Sequence, residues 1–102
     1  MIKHVVMWKF KESALGETKA TNLRLFKSQL EALVPIIPQI IDLEVGLNEV
    51  ESDTSYDIVL ISTFANKDDL SIYAKHPDHL VVSGFCAKVR ESRVAVDYEI
   101  GL

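Results

Sequence analysis

Tyr73, His76 and His79 follow one another at intervals of three in the stretch YAKHPDHL, and the remaining histidine, His4, lies far away in the chain. An imidazole titrates near neutrality, so it suits the taking and giving of protons. A phenol can donate its hydroxyl hydrogen to a carbonyl oxygen. A histidine that removes a carbon-bound proton, beside a tyrosine that holds the developing oxyanion, is the pair that enolisation requires. Plainer roles compete at each position: Tyr73 as a core-edge ring, His76 as a cap before Pro77, and His79 as a polar ring turned towards a sheet. Zinc usually takes three protein ligands, and here Asp78 points away from the two neighbouring histidines, so no metal is expected. The sequence has no glycine-rich phosphate loop, dinucleotide fingerprint or nucleophile elbow, and no cofactor is expected.

Those side chains need elements to hold them. From Ile2 to Phe10, His4 shares a side with Ile2, Val6, Trp8 and Phe10, while Lys3, Val5, Met7 and Lys9 take the other; a period of two predicts a strand. A helical period follows over about residues 17 to 34, with Leu23, Phe26, Leu30, Leu33 and Ile37 on one side, and Ser13, Thr18 or Thr21 as its cap. Pro35 and Pro38 end it. Ile41–Val50 and Tyr56–Phe64 read as an antiparallel hairpin across the polar ESDTS segment. Asn66 is placed to cap a second helix, which Pro77 interrupts and restarts, with Leu80, Val81, Gly84, Phe85 and Val89 expected on the buried side. Ser92–Ile100 alternates again, with Val94, Val96, Tyr98 and Ile100 against Arg93, Asp97 and Glu99. Solvent is the default surrounding for Asp57 and Asp97.

The order strand, helix, strand, strand, helix, strand predicts an α+β fold, a ferredoxin-like β-α-β-β-α-β chain with a four-stranded antiparallel sheet and both helices on one face. Residues 1–102 are read as a single domain. Val5, Met7, Val59 and Ile61 leave the opposite face apolar, and an uncovered apolar sheet face predicts a homodimer through it. If His4 points to the helices, it converges with Tyr73 and His79 on a pocket walled by Val6 and Trp8, with His76 and Leu80 at its edge.

Composition excludes several classes. With 48% hydrophobic and 25% charged residues the chain is not of the disordered type. A net charge of -4 without a basic run argues against nucleic acid. No apolar run is long enough for a membrane span, and no signal-peptide pattern opens the sequence. The one cysteine, Cys86, excludes an intramolecular disulfide, fits a reducing cytoplasm and reads as core filler.

The opening IKHVVMWKFK, the IPQI connection, YDIVLISTF, YAKHPDH and the closing VAVDYE together resemble the stress-responsive dimeric alpha-beta barrel (Dabb) family over essentially the whole chain. The resemblance implies a ferredoxin-like fold whose sheets pair into a dimeric α/β barrel. Plant members include stress-associated proteins and a polyketide cyclase that closes an aromatic ring by aldol-type condensation. It also implies catalytic roles for Tyr73 and His79 and pocket positions for His4 and His76. The chain departs from the cyclase where LVVSG replaces a glycine-rich aromatic stretch, and where Trp8 replaces a smaller aliphatic residue. The expectation is a dimeric protein binding a small apolar or polyketide-like ligand between sheet and helices. If it is an enzyme, it is a cofactor-independent cyclase or lyase using His79 and Tyr73. A non-catalytic stress-related structural protein and an antibiotic-biosynthesis-type monooxygenase are the alternatives.

Overall fold

Alternation over Ile2–Phe10 builds the centre of the sheet, strand β1. The computed structural model describes residues 1–101. After β1 come a small hairpin, β2 (Ser13–Ala14) and β3 (Glu17–Thr18), and helix α1 (Lys19–Glu31). Strands β4 (Asp42–Leu47) and β5 (Ile58–Phe64), helices α2 (Lys67–Lys75) and α3 (Pro77–Val89), and strand β6 (Arg90–Glu99) complete the chain. β1 pairs antiparallel with β5 on one side and β6 on the other, and β5 pairs with β4, giving the order β4-β5-β1-β6. That is the ferredoxin-like β-α-β-β-α-β topology expected from the element order.

The two faces of the sheet follow from register. Ile2, Val6, Trp8 and Phe10 of β1 are buried, together with Ile58, Leu60 and Phe64 of β5 and Val45 of β4, against Phe26, Leu30, Leu33, Ile37, Tyr73, Val82, Cys86 and Val89. On the other face Val5 lies between Ile61 and Val96, and Met7 between Val59 and Val94. Among the described residues no element covers that face: Met7, Val96 and Tyr98 are 40%, 54% and 47% exposed. Among the described residues no helix is long and apolar enough to cross a membrane.

The helix boundaries follow local chemistry. Thr18 caps α1, its Oγ1 accepting from the Thr21 amide at 3.3 Å. The helix stops at Glu31, short of the expected residue 34, because the residue before a proline is steered away from helical angles and Pro35 disrupts the last turn. The β2–β3 hairpin was not expected. Its strands are two residues each, and its turn places Leu15 and Gly16 at φ 54° and 76°, the paired left-handed conformation of a tight hairpin. Asn22, buried on α1, donates to the Ala14 carbonyl at 3.1 Å and ties that hairpin down.

α2 starts as expected, with the Asn66 side chain accepting from the Asp69 amide at 2.8 Å. Pro77 restarts the helix as the first residue of α3. The phase of α3 differs from expectation, however. Val82, Cys86 and Val89 form its buried stripe, whereas Leu80 and Val81 are 56% and 74% exposed and Gly84 also faces outward. His76, the residue between the helices, is extended (ψ 135°), and this rotates α3 away from the stripe carried over from α2.

Candidate functional site

The break at Pro77 sets the chemistry of the His79 ring. In an unbroken helix the carbonyls of Tyr73 and Ala74 would accept from the amides of residues 77 and 78. Pro77 has no amide hydrogen, and the Tyr73 carbonyl accepts instead from the His76 amide at 3.2 Å. The Asp78 amide donates to His76 Nδ1 at 3.1 Å. The Ala74 carbonyl is then left for His79 Nδ1, 3.1 Å away. A ring nitrogen facing a carbonyl oxygen carries the hydrogen, so the neutral His79 ring keeps its lone pair on Nε2. Burial pushes the His79 pKa below 6.5; the Ala74 hydrogen bond opposes the shift, and the charges of His4, Arg93 and His76 add to it.

Tyr73 lies against His79, ring centroids 4.4 Å apart, and against Phe64 at 4.9 Å. It is 1% exposed, and its hydroxyl is covered without a hydrogen-bond partner. Burial pushes its pKa up to about 12, with the positive charge of Arg93 opposing the shift. The phenol therefore stays protonated and can only donate or accept hydrogen bonds near neutral pH.

His4 reaches the same place from the sheet. Its ring centroid is 6.2 Å from that of Tyr73 and 6.4 Å from that of Phe64, edge-on to both. The β1–β6 register sets it beside Asp97, and His4 Nδ1 donates to Asp97 Oδ1. That carboxylate fixes the orientation of the ring, as an acidic partner does for many functional histidines.

These side chains border a cavity of about 290 Å³ between sheet and helices. Its deep wall is Val6, Trp8, Phe26, Leu30, Leu60 and Val82, with Trp8 edge-on to Phe26 at 4.9 Å. Arg90 and Arg93 of β6 line it as well. A shallower depression continues outward past His4, Tyr73, His79, Arg93 and Asp97. Cys86 also borders the cavity, but burial pushes its thiol up to about 11 against the opposing charges of Arg90 and Arg93, so it is not a thiolate at neutral pH. Among the described residues no group of three or more metal-ligating side chains is gathered.

Of the residues singled out in the sequence, the structure brings His4, Val6, Trp8, Tyr73 and His79 together. It does not bring His76 or Leu80 to the cavity: His76 spends its ring on the Asp78 amide as the cap of α3, and the phase of α3 turns Leu80 outward. Asp97 pairs with His4 while its side chain stays 46% exposed to solvent. Asp57 likewise has partners, accepting from the Phe10 amide at 2.8 Å and lying 3.6 Å from Lys19 Nζ. Asp97, Arg90 and Arg93 were not placed at the site from sequence. Their one signal is that Arg93 and Asp97 share the polar side of the last strand, which becomes meaningful once His4 and Asp97 are paired in register.

The topology and the helix-covered pocket define a small α+β protein of ferredoxin-like fold. The model of the Stress responsive A/B Barrel Domain family matches residues 2–100, and the chain belongs to that family. One stress-response A/B barrel domain-containing protein of Arabidopsis thaliana is 33% identical over 100 residues, spanning 96% of this chain. A second protein of that description from the same plant is 30% identical over 101 residues, again 96% of this chain. The chain spans only 36% and 46% of the lengths of these two relatives. Among solved structures, a dimeric protein of unknown function with a ferredoxin-like fold from Bacteroides fragilis superposes with a TM-score of 0.85 at 38% identity, over 97% of this chain and 95% of that one.

Proposed function

We propose that the cavity binds a small, largely apolar carbonyl compound and that His79 removes a proton from the carbon beside its carbonyl. The observation that carries this is the unpartnered hydroxyl of buried Tyr73, packed against a histidine whose Nε2 lone pair is free. The carbon–hydrogen bond breaks, its proton passes to His79 Nε2, and its electron pair moves onto the carbonyl oxygen. Tyr73 donates a hydrogen bond to that oxygen, and His4, held by Asp97, borders the same space. The enolate can take the proton back or attack a second carbonyl of the same molecule, an aldol-type closure. The Tyr73 hydroxyl is covered in the structure, so a carbonyl reaches it only after a wall side chain shifts; exposed Arg93, which lines the same cavity, is placed to do so.

Two copies of the chain pair through the apolar sheet face away from the helices, closing a dimeric α/β barrel; the exposed Met7, Val96 and Tyr98 and the dimeric relative from B. fragilis support this. The test of the chemistry is exchange of the acidic hydrogens of a neutral beta-diketone in deuterium oxide, followed by NMR. Wild type accelerates exchange; His79→Ala abolishes the acceleration, and Tyr73→Phe lowers it by about a hundredfold, the scale of one lost oxyanion donor. Equal rates with wild type and His79→Ala reject the role of His79.

A further inference from the structure

Arg90 and Arg93 both line the cavity, and among the described residues neither is ion-paired. What sets them apart is their place, two cations at the wall of a cavity in a chain with 15 acidic and 11 basic residues. No carboxylate lines the main cavity among the described residues. The one in the outer depression, Asp97, is held by His4. Among the described residues Lys19 is the one lysine or arginine in an ion pair, lying 3.0 Å from Glu12 and 3.6 Å from Asp57. Arg90 has a structural role open to it, since it follows the last turn of α3 and a cation there suits the helix dipole. Arg93 has none: it stands three residues into the strand, beside Trp8 in register, and its charge is felt by both Tyr73 and His79.

We infer that the ligand of this cavity carries a carboxylate, held by Arg93 with Arg90 beside it. The keto oxygen lies towards Tyr73 and the hydrocarbon remainder against Trp8, Phe26, Leu30 and Leu60. The planar guanidinium fork matches a carboxylate with two parallel hydrogen bonds, a geometry that a lysine lacks. A cavity of about 290 Å³ holds about ten groups the size of a water molecule, which suits a medium-chain keto acid. A neutral ligand would gain nothing from the two guanidinium groups, which water would go on solvating. The inference rests on the proposal that the cavity is a ligand site, and it adds the class of ligand.

The experiment compares a medium-chain gamma-keto carboxylate with its methyl ester, two probes that differ in the charge and one methyl group. Binding is followed through Trp8, the one tryptophan of the chain, which lines the cavity. Wild type is expected to bind the acid about tenfold or more tightly than the ester, the scale of a charged hydrogen bond. Arg93→Ala removes that preference, while Arg93→Lys restores part of it. Equal binding of acid and ester by wild type overturns the carboxylate site while the proposed chemistry stands. So does an Arg93→Ala variant that weakens both probes alike, or an alkyl phosphate of matched length that binds more tightly than the acid. Failure of both probes to bind, together with no exchange of the neutral diketone, overturns the site and the chemistry together.

Discussion

Tyr73→Phe should make the protein more stable and less competent. Its hydroxyl is covered and unpartnered, and leaving such a group unsatisfied costs about 1–3 kcal/mol. Phenylalanine keeps the ring and its contacts with Phe64 and His79. The variant should therefore gain about 1–3 kcal/mol, which for a chain of this size raises the thermal midpoint by about 4 °C or more. The gain should grow in alkali. The folded pKa of Tyr73, about 12, lies above its ordinary 10.0, so the unfolded chain loses this proton first. Wild type keeps its full stability from this group below pH 10 and loses it as pH rises towards 12. Two pKa units at about 1.36 kcal/mol each amount to about 2.7 kcal/mol across that window. The assay is urea unfolding of both proteins at one protein concentration, at pH 8 and at intervals up to pH 11.5 (about the top of the usable window). A variant less stable than wild type by about 1 kcal/mol or more at pH 8 would show that the hydroxyl supports the fold, and would refute the reasoning.

Further expectations concern the helix pair and the proton balance. The acid limb of the exchange rate should have its midpoint below 6.5, because burial lowers the pKa of His79; a midpoint at or above 6.5 contradicts the assigned environment. By the same sign, the stability contribution of neutral His79 is complete above pH 6.5 and lost as pH falls through its lower folded value, so a His79→Gln variant should lose less stability on acidification in urea titrations. Pro77→Ala restores an amide hydrogen at the break, letting the Ala74 carbonyl return to the Asp78 amide. Exchange should fall about tenfold or more with little change in unfolding midpoint, although residue 77 does not line the cavity. Val89→Ala removes a fully buried side chain and should cost about 2 kcal/mol, whereas Val81→Ala, at a position 74% exposed, should stay within about 0.5 kcal/mol in urea unfolding.

Much of the fold can be read along the chain because its signals are local. Alternation in Ile2–Phe10 separates the two faces of β1, Asn66 marks the start of α2, and Pro77 marks the break. The same locality places His4, Tyr73 and His79 together, once the helices are assigned to the His4 side. What escapes is set by neighbours distant in sequence or by phase. Arg93 and Asp97 look like the wet side of an edge strand until β1 lies beside them in register. α3 is apolar nearly all round, in LVVSGFCA, so no stripe stands out, and the turn at His76 decides which residues go inward. The hairpin at Ser13–Thr18 is too short to show an alternation, and its Leu15-Gly16 turn lacks the asparagine or aspartate that announces such turns.

The partnership of β1 with β6 also has a consequence for the order in which the protein acquires its parts. The contact between His4 and Asp97 closes a separation of 93 residues. Loops of that length form late in folding, since the chain loses much entropy before a distant contact stabilises it. Tyr73 and His79 come together through a few neighbouring residues and can assemble early. The acidic partner of His4 and the arginines arrive only with the final strand. A chain caught before that strand docks would have the Tyr73–His79 ring pair but lack the charges, and β1 would expose an unpaired edge. The strand that closes the sheet is thus also the one that completes the site.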